Sequence, residues 1–198
     1  MSERPRRVIV ALTGATGTIY GVQVLKLLHE SGVETHLIMS KWAARTLLHE
    51  TSYTNEDVQR LATYVHPITD QGASLSSGSF LTDGMIVAPC SGRTLAAIAH
   101  GLSDNLIHRA ADVILKERRR LVLAVREAPL SEIHLENMLK LSRMGVIISP
   151  PMPSFYTRPT TIDEMVQYSA ARLIDQLGLH LDIPRWDGRM KAGASSDS

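Results

Sequence analysis

Two glycine-containing turns stand out among the residues whose types and spacing could do chemistry. Gly14-Ala15-Thr16-Gly17 follows the apolar run 8–12, and Ser91-Gly92-Arg93-Thr94 follows the apolar run 85–88. Glycine lets backbone N–H groups approach a ligand closely, and the first turn of a helix attracts anions. Both turns therefore predict a binding site for a phosphorylated ligand.

A charged pair, Arg126 and Glu127, comes directly after the apolar run 121–125. Arginine can bind a phosphate through two parallel hydrogen bonds, and a neighbouring carboxyl group can serve as a general acid or base. Ser40 follows the apolar run 34–39 and either caps the next helix or donates its hydroxyl to a ligand. These residues extend the predicted chemistry from anion binding to proton transfer.

Three further side chains differ from ordinary surface or core residues. Lys116 ends a helical stretch in a basic run, Tyr156 lies in a proline-rich loop, and Arg172 lies among small and apolar residues, where a charge needs a partner. Cys90 is the single cysteine, and no histidine lies near it in sequence. We therefore interpret Cys90 as a packed thiol rather than a nucleophile, and the spacing of histidines and cysteine predicts no zinc site.

Alternating strands and helices must position these residues. Apolar runs predict five strands, at 8–12, 34–39, 85–88, 121–125 and 146–148. Helical patterns cover 18–31, 41–48, 56–64, 94–99, 104–118 (capped by Asp104), 131–144 and 161–178. Strands that are apolar without strict alternation indicate a parallel sheet covered on both faces. The predicted fold is a three-layer α/β sandwich of Rossmann or flavodoxin type, in which ligands bind at the carboxyl ends of the strands.

Composition is that of an ordinary globular protein. The 198 residues are 44% hydrophobic, and a net charge of +1 provides no global field for nucleic acid or an anionic membrane. The longest apolar runs are strand-sized, so no membrane-spanning helix is predicted. We expect one domain over 1–186, a polar tail over 187–198, and a cytoplasmic location, since one cysteine allows no intrachain disulfide.

Eight segments together carry a family resemblance. They are TGATG (13–17), HLIMSKWA (36–43), SSGSF (76–80), MIVAPCS (85–91), RAADVILKERR (109–119), VREAPLS (125–131), HLENMLKLSRMG (134–145) and PPMPSFYTRP (150–159). On these segments the chain resembles the UbiX-type flavin prenyltransferases from Val8 to Trp186. The SKWA segment and Thr16 resemble members described as the B component of hydroxyarylic (phenolic) acid decarboxylases.

The resemblance implies a flavin prenyltransferase. The family joins the dimethylallyl group of dimethylallyl phosphate to N5 and C6 of reduced FMN, without a metal, and releases phosphate. The product, prenylated FMN, is the cofactor of UbiD-type decarboxylases. The resemblance also implies a homododecamer in which neighbouring subunits share the prenyl site.

Site residues follow from the same resemblance. Catalytic roles are implied for Glu127, Thr16 and Glu50. FMN contacts are implied for Gly14, Ala15, Thr16, Ser40, Ser91, Gly92, Arg93, Thr94 and Arg126. Contacts with the prenyl phosphate are implied for Lys116, Arg126, Glu127, Tyr156, Arg172 and Trp186. Many members have serine at the position of Thr16, so the added methyl group could alter a proton relay near flavin N5.

The residues leave three other functions open. A flavin-binding accessory subunit would share the same turns without catalysis. A flavin-dependent cysteine decarboxylase would carry an asparagine in its proline-rich motif, which reads PPMPSFY here. An NAD(P) reductase would share the first turn but normally has an acidic residue after the second strand, where this chain has Ser40-Lys41.

Overall fold

Six parallel strands form one sheet within residues 4–188, the part of the chain that the computed structural model describes. The strands are β1 (Arg7–Leu12), β2 (Glu34–Met39), β3 (Tyr64–His66), β4 (Gly84–Cys90), β5 (Arg120–Val125) and β6 (Ile147–Ile148). Their order across the sheet is β3-β2-β1-β4-β5-β6. The direction of winding therefore changes between β1 and β4, as in a doubly wound α/β fold. The predicted fold class is confirmed.

Helices cover both faces of this sheet. They are α1 (Thr18–Glu30), α2 (Lys41–Glu50), α3 (Asn55–Arg60), α4 (Gly92–Ala99), α5 (Leu106–Lys116), α6 (Glu132–Arg143) and α7 (Ile162–Asp175). Short 3-10 turns add Ser74–Ser76 and Phe155–Thr157. The part of the predicted tail beyond residue 188 lies outside the described residues.

Side chains of each strand alternate between two buried cores. On β1, Val8 and Val10 pack in the core that contains α1, α2, α3 and α7, whereas Ile9 and Ala11 pack in the core that contains α4, α5 and α6. Successive side chains of a strand point to opposite faces of the sheet. Because both faces are covered, both sets are apolar, and the strands read as continuous hydrophobic runs.

One predicted helix is wrong in extent. The pattern at 56–64 predicts a helix, but α3 ends at Arg60, and Tyr64–His66 forms the edge strand β3 that pairs with β2. This strand has only three residues, and Tyr64 and Val65 are exposed. A short edge strand with one neighbour lacks the apolar run by which the central strands are recognised.

Helix starts follow local side-chain chemistry. Thr54 and Asp57 form a capping box at the start of α3. The prediction that Asp104 caps α5 is wrong, because Asn105 is the cap and its Oδ1 accepts a hydrogen bond from the His108 N–H at 3.1 Å. Asp and Asn are both favoured at this position, so the choice between adjacent candidates depends on where the backbone turns.

Helix α1 has a cap that is remote in sequence. Gly17 lies before it in a left-handed conformation and offers no side chain. The Glu50 carboxylate, at the end of α2, accepts hydrogen bonds from the N–H groups of Gly17 (2.9 Å) and Thr18 (3.2 Å). Burial raises the pKa of Glu50, but hydrogen bonds from Thr16, Gly17 and Thr18 outweigh burial and lower this pKa below its ordinary value.

We predict that Glu50→Gln lowers stability in a pH-dependent way. At pH 7 the variant loses an anion at a helix N-terminus, which corresponds to about 1 kcal/mol, or about 2–4 °C in the thermal unfolding midpoint. Because the pKa of Glu50 is lowered by folding, this stabilisation is complete above the pKa of the unfolded chain. It disappears as the pH falls through the folded pKa. Unfolding midpoints of both proteins from pH 7 to pH 3 measure the difference.

Glu30→Gln is the matched control, because Glu30 ends the same helix and a carboxylate there does not favour the helix dipole. We expect no loss of stability in the control. A difference between wild type and Glu50→Gln that stays constant over the whole pH range would contradict the assignment.

Candidate functional site

A cavity of about 650 Å³ opens at the carboxyl ends of the strands. Its lining comes from the turn after β1, from the starts of α2, α4 and α5, and from the segment after β5. Seven of the predicted site residues line it, namely Gly14, Ser40, Ser91, Gly92, Arg93, Thr94 and Glu127. The cavity lies beside the change of winding between β1 and β4, which is where doubly wound sheets bind ligands. We refer to it as the carboxyl-edge cavity.

Thr13 joins the two turns on either side of this change of winding. Its hydroxyl donates a hydrogen bond to the Pro89 carbonyl at 2.8 Å and accepts one from the Ser91 N–H at 2.8 Å. Thr13 is buried, and it also lines the cavity. The sequence interpretation missed this residue, although a hydroxyl between an apolar run and a glycine was a usable signal.

Gly14 allows the first turn to lie directly against α2. A Cβ atom on Gly14 would lie 2.4 Å from the Cβ of Trp42, which no real contact allows. Trp42 itself is 65% exposed and lines the carboxyl-edge cavity, with the Arg45 guanidinium 5.2 Å from its ring centroid. The glycine is therefore required for close packing at the cavity wall as well as for access to a ligand.

The start of α1 is not free to bind an anion. The sequence interpretation assigns that role to both turns, but the Glu50 carboxylate already accepts the N–H groups of Gly17 and Thr18. Glu50 also accepts the Thr18 hydroxyl at 3.2 Å, and the nearby Thr16 hydroxyl helps to lower the pKa of Glu50.

The start of α4 remains available. The Ser91 side chain accepts the Thr94 N–H at 3.3 Å, which leaves the N–H groups of Gly92 and Arg93 without an acceptor within residues 4–188. No acidic residue lies in the first turn of α4. Because free N–H groups and the helix dipole both favour an anion, this helix start is the place in the cavity that best suits a phosphate.

Ser40 caps α2 and also lies at the cavity wall. Its side chain accepts the Ala43 N–H at 3.0 Å and caps α2, and the residue also lines the cavity. The hydroxyl hydrogen is not used in the cap, since the oxygen is the acceptor there. Ser40 can therefore donate to a ligand without loss of the cap.

Arg126 and Glu127 extend beyond the end of β5. The Arg126 N–H donates to the Cys90 carbonyl at 3.0 Å, and its guanidinium has no ion pair within the described part of the chain. Glu127 Oε1 accepts the Ala128 N–H at 3.3 Å, while Oε2 lies 3.6 Å from the position that a Cβ on Gly92 would occupy. Glu127 therefore lies at the start of α4, and Arg126 directly precedes it in the chain.

Cys90 is not a nucleophile at this site. It is fully buried in the core formed by α4, α5 and α6, and burial raises the pKa of its thiol to about 12. The thiolate that nucleophilic attack requires is therefore not populated at neutral pH. The interpretation of Cys90 as a packed thiol agrees with this environment.

Tyr156, Trp186 and Arg172 form a second cluster around the end of α7. The Tyr156 ring makes edge contacts with Trp186 and Tyr168, at centroid distances of 5.7 and 5.9 Å, and the two tyrosine hydroxyls share a hydrogen bond. Arg172 pairs with buried Asp175 at 2.6 Å, which is the partner that its apolar surroundings required. None of these residues lines the carboxyl-edge cavity of the same chain.

Asp175 also binds Arg185, at 2.8 and 2.9 Å, so two guanidinium groups meet at one carboxylate. Burial opposes the ionisation of Asp175, but its hydrogen bonds with Arg185, His180 and Arg172 lower its pKa. The sequence interpretation missed Asp175, Arg185 and Tyr168. The short i, i+3 spacing of Arg172 and Asp175 was a usable signal for one of them.

Lys116 lies elsewhere again. Helix α5 begins at the carboxyl-edge cavity, whereas Lys116 is its last residue, about 12 Å further along the axis than His108. Lys116 pairs with Glu117, and both approach Gly78, since a Cβ there would lie 2.8 Å from Lys116 Nζ. One chain therefore separates the predicted prenyl-phosphate residues into three places.

Residues 4–188 contain neither a cluster suited to a metal ion nor a helix suited to span a membrane. Within this range there is no group of three or more His, Cys, Asp or Glu side chains arranged to hold a metal ion. No helix in the same range combines the length and the apolar character needed to cross a membrane.

Comparison with known proteins shows the family. A family model described as Flavoprotein matches residues 1–173. A probable UbiX-like flavin prenyltransferase of Bacillus subtilis (strain 168) is 56% identical over 191 residues, which are 95% of this chain and 94% of the relative. The sequence identity and the coverage are both far above what a shared fold alone requires.

Two solved structures agree closely with this chain. AnUbiX, crystallised in complex with FMN and dimethylallyl pyrophosphate, matches with a TM-score of 0.93 and 54% identity over 94% of this chain and 100% of that one. A dodecameric FMN-dependent UbiX-like decarboxylase from Escherichia coli O157:H7 matches with a TM-score of 0.90 and 56% identity, over 92% of this chain and 100% of that one. The chain belongs to the flavoprotein family and, within it, to the UbiX-like flavin prenyltransferases.

Proposed function

We propose that this protein is a flavin prenyltransferase that joins a dimethylallyl group to N5 and C6 of reduced FMN. One observation carries the proposal. AnUbiX, which is 54% identical over 94% of this chain, holds FMN together with dimethylallyl pyrophosphate. The carboxyl-edge cavity of this chain supplies a helix start with free N–H groups and the Glu127 carboxyl group, and Arg126 directly precedes Glu127 in the chain. This combination suits a reaction in which a phosphate group leaves.

The cavity residues fit a flavin mononucleotide. A volume of about 650 Å³ lies within the range of small-molecule sites. Side chains are absent at Gly14 and Gly92, where the backbone forms the wall, and a Cβ on Gly92 would lie 3.2 Å from His134 Nε2. The free N–H groups at the start of α4 would hold the phosphate, and the hydroxyls of Ser40 and Ser91 would hold polar flavin or ribityl atoms.

Negative charge develops on the departing phosphate, and this charge sets the roles of Arg126 and Glu127. Reduced FMN, when bound, supplies the nucleophilic N5 and C6 atoms. As the allylic C–O bond breaks, the electron pair leaves with the phosphate, and the Arg126 guanidinium stabilises this charge through paired hydrogen bonds. Glu127 in its protonated form donates the proton of its carboxyl group to a phosphate oxygen and is left as a carboxylate. Exclusion of water protects the allylic cation from hydrolysis.

Thr16 and Glu50 form the second proton-handling pair. Glu50 is held as a carboxylate by its hydrogen bonds with Gly17 and Thr18, and the nearby Thr16 hydroxyl also lowers its pKa. A hydroxyl next to a carboxylate can pass a proton between a ligand and that carboxylate. We assign this relay to the closure of the new ring, where the proton on C6 must leave.

Completion of the prenyl-phosphate site requires other subunits. Lys116, Tyr156, Arg172 and Trp186 lie outside the carboxyl-edge cavity of their own chain. The E. coli structural neighbour is dodecameric. We propose that this protein assembles in the same way, and that neighbouring chains contribute these residues to each cavity. A symmetric assembly can bring different surfaces of one chain into contact.

The product and its destination complete the proposal. Prenylated FMN would serve a UbiD-type decarboxylase of an aromatic acid, and the protein would act in the cytoplasm. The subgroup resemblance supports this destination, since its members are the ones described as the B component of hydroxyarylic acid decarboxylases. A partner decarboxylase that is activated by the isolated small-molecule product would support it, whereas a requirement for physical association would favour an accessory role.

We predict that the protein adds one C5 unit to reduced FMN. The protein is incubated anaerobically with reduced FMN and with dimethylallyl phosphate or dimethylallyl pyrophosphate, and the flavin mass is followed. A flavin that binds but never gains the C5 unit would contradict the proposal and favour the accessory role. Release of carbon dioxide from a cysteinyl peptide would instead indicate a cysteine decarboxylase.

We predict that Glu127→Gln binds FMN but loses turnover. The amide keeps the size of the side chain and cannot deliver the proton, so the rate of C5 transfer falls by about 10²–10⁴-fold. Titration of FMN fluorescence measures binding, and single-turnover mass analysis measures transfer. Glu132→Gln, an exposed change in the first turn of α6, is the control. Undiminished transfer in Glu127→Gln would remove this residue from the mechanism.

We predict that two inactive variants complement each other. Glu127→Gln and Arg172→Ala are each expected to lose turnover, since one lacks the proton donor and the other a phosphate ligand. If the two residues act together from different subunits, a randomly mixed equal assembly has both in about one quarter of its sites. Activity after unfolding and refolding of the mixture measures this fraction. No recovery of activity in assemblies shown to be mixed would contradict the shared site.

A further inference from the structure

His134 occupies an unusual place in the capping box at the start of α6. Ser131 is the N-cap, and its Oγ accepts the His134 backbone N–H at 3.4 Å. In return, the Ser131 backbone N–H donates to His134 Nδ1 at 3.1 Å. Glutamate or glutamine normally provides this returning acceptor. An imidazole can do so only through a ring nitrogen that carries no proton.

This hydrogen bond determines the tautomer of the ring. A backbone N–H is a donor only, so Nδ1 must accept with its lone pair. The proton of the neutral imidazole is therefore on Nε2, at the opposite side of the ring. The capping box thus leaves Nε2–H as the ring N–H donor of His134, in a set direction.

That donor lies at the wall of the carboxyl-edge cavity. The position that a Cβ on Gly92 would occupy lies 3.2 Å from His134 Nε2 and 3.6 Å from Glu127 Oε2, and all three residues line the cavity. Nε2 has no hydrogen-bond partner in residues 4–188. The donor therefore lies beside the free N–H groups at the start of α4, where an anion is favoured.

We propose that His134 is a phosphate-binding residue, whose Nε2–H donates a hydrogen bond to an oxygen of a phosphate monoester at the start of α4. This inference rests on the proposed function and names one further contact for it. An N–H donor suits a place beside the free N–H groups at the start of α4, because phosphate oxygens accept hydrogen bonds. The phosphate belongs either to FMN or to the prenyl substrate, and the chemistry of recognition is the same.

Three variants separate the donor from the cap. His134→Glu keeps an acceptor for the Ser131 N–H and has no donor for the cavity, whereas His134→Ala lacks both. His134→Gln provides an acceptor through its carbonyl and a donor through its amide. We therefore expect the unfolding midpoint to be preserved in the Glu and Gln variants and lowered in the Ala variant. His29→Gln, an exposed change near the end of α1, is the matched control.

Affinities for FMN and riboflavin, measured by fluorescence without turnover, then identify the phosphate. If the ligand is the FMN phosphate, the preference for FMN over riboflavin falls by roughly ten- to a hundredfold in the Ala and Glu variants, and Gln restores most of it. If the ligand is the prenyl phosphate, this preference is unchanged and the KM for dimethylallyl phosphate rises by a similar factor. Both results support the proposal.

Two other results would contradict the role of His134 and the proposed prenyltransferase function separately. Unchanged FMN preference together with unchanged KM in both the Ala and Glu variants would overturn the role of His134. Absence of C5 transfer by the wild-type protein would contradict the proposed prenyltransferase function, while the flavin-binding comparison would still test His134. The two failures are therefore distinguishable.

Discussion

The hydroxyl of Thr13 is the interaction on which the candidate site depends most. It bridges the Pro89 carbonyl and the Ser91 N–H, so it holds the end of β1 against the end of β4 where the winding of the sheet changes. The Pro89 carbonyl also accepts the Thr13 backbone N–H at 3.2 Å, so a valine at this position would leave only the Ser91 N–H without its partner. The glycine turn on one side of the cavity and the start of α4 on the other therefore keep a constant separation.

The two helix starts at this edge have different tasks because their electrostatic environments differ. The start of α1 is neutralised by Glu50, a carboxylate from the end of α2, whereas the start of α4 has no acidic side chain in its first turn. A ligand anion is therefore favoured at α4 and opposed at α1. Glu50 is in turn available, with Thr16, for proton transfer rather than for anion binding.

A single chain explains only part of the site. The carboxyl-edge cavity collects the residues that suit a flavin phosphate, together with Glu127 and the newly assigned His134. The aromatic and arginine cluster around Tyr156 and Arg172 lies at the end of α7, on the layer that also contains α1. Exposed side chains in that cluster, with Trp186 53% exposed, are consistent with contacts that form only in an assembly.

The sequence alone was enough to predict the positions of five strands, their alternation with helices, and the polar residues that follow the strand ends. Buried parallel strands and glycine turns have strong local signatures. It did not reveal β3, whose three half-exposed residues lack such a signature. Tertiary structure decided which predicted residues meet. It assigned Glu50 to the start of α1, placed Lys116 and Arg172 away from Glu127, and directed the Nε2 of His134 into the cavity. Those outcomes depend on contacts between residues distant in sequence, and local pattern carries no information about them.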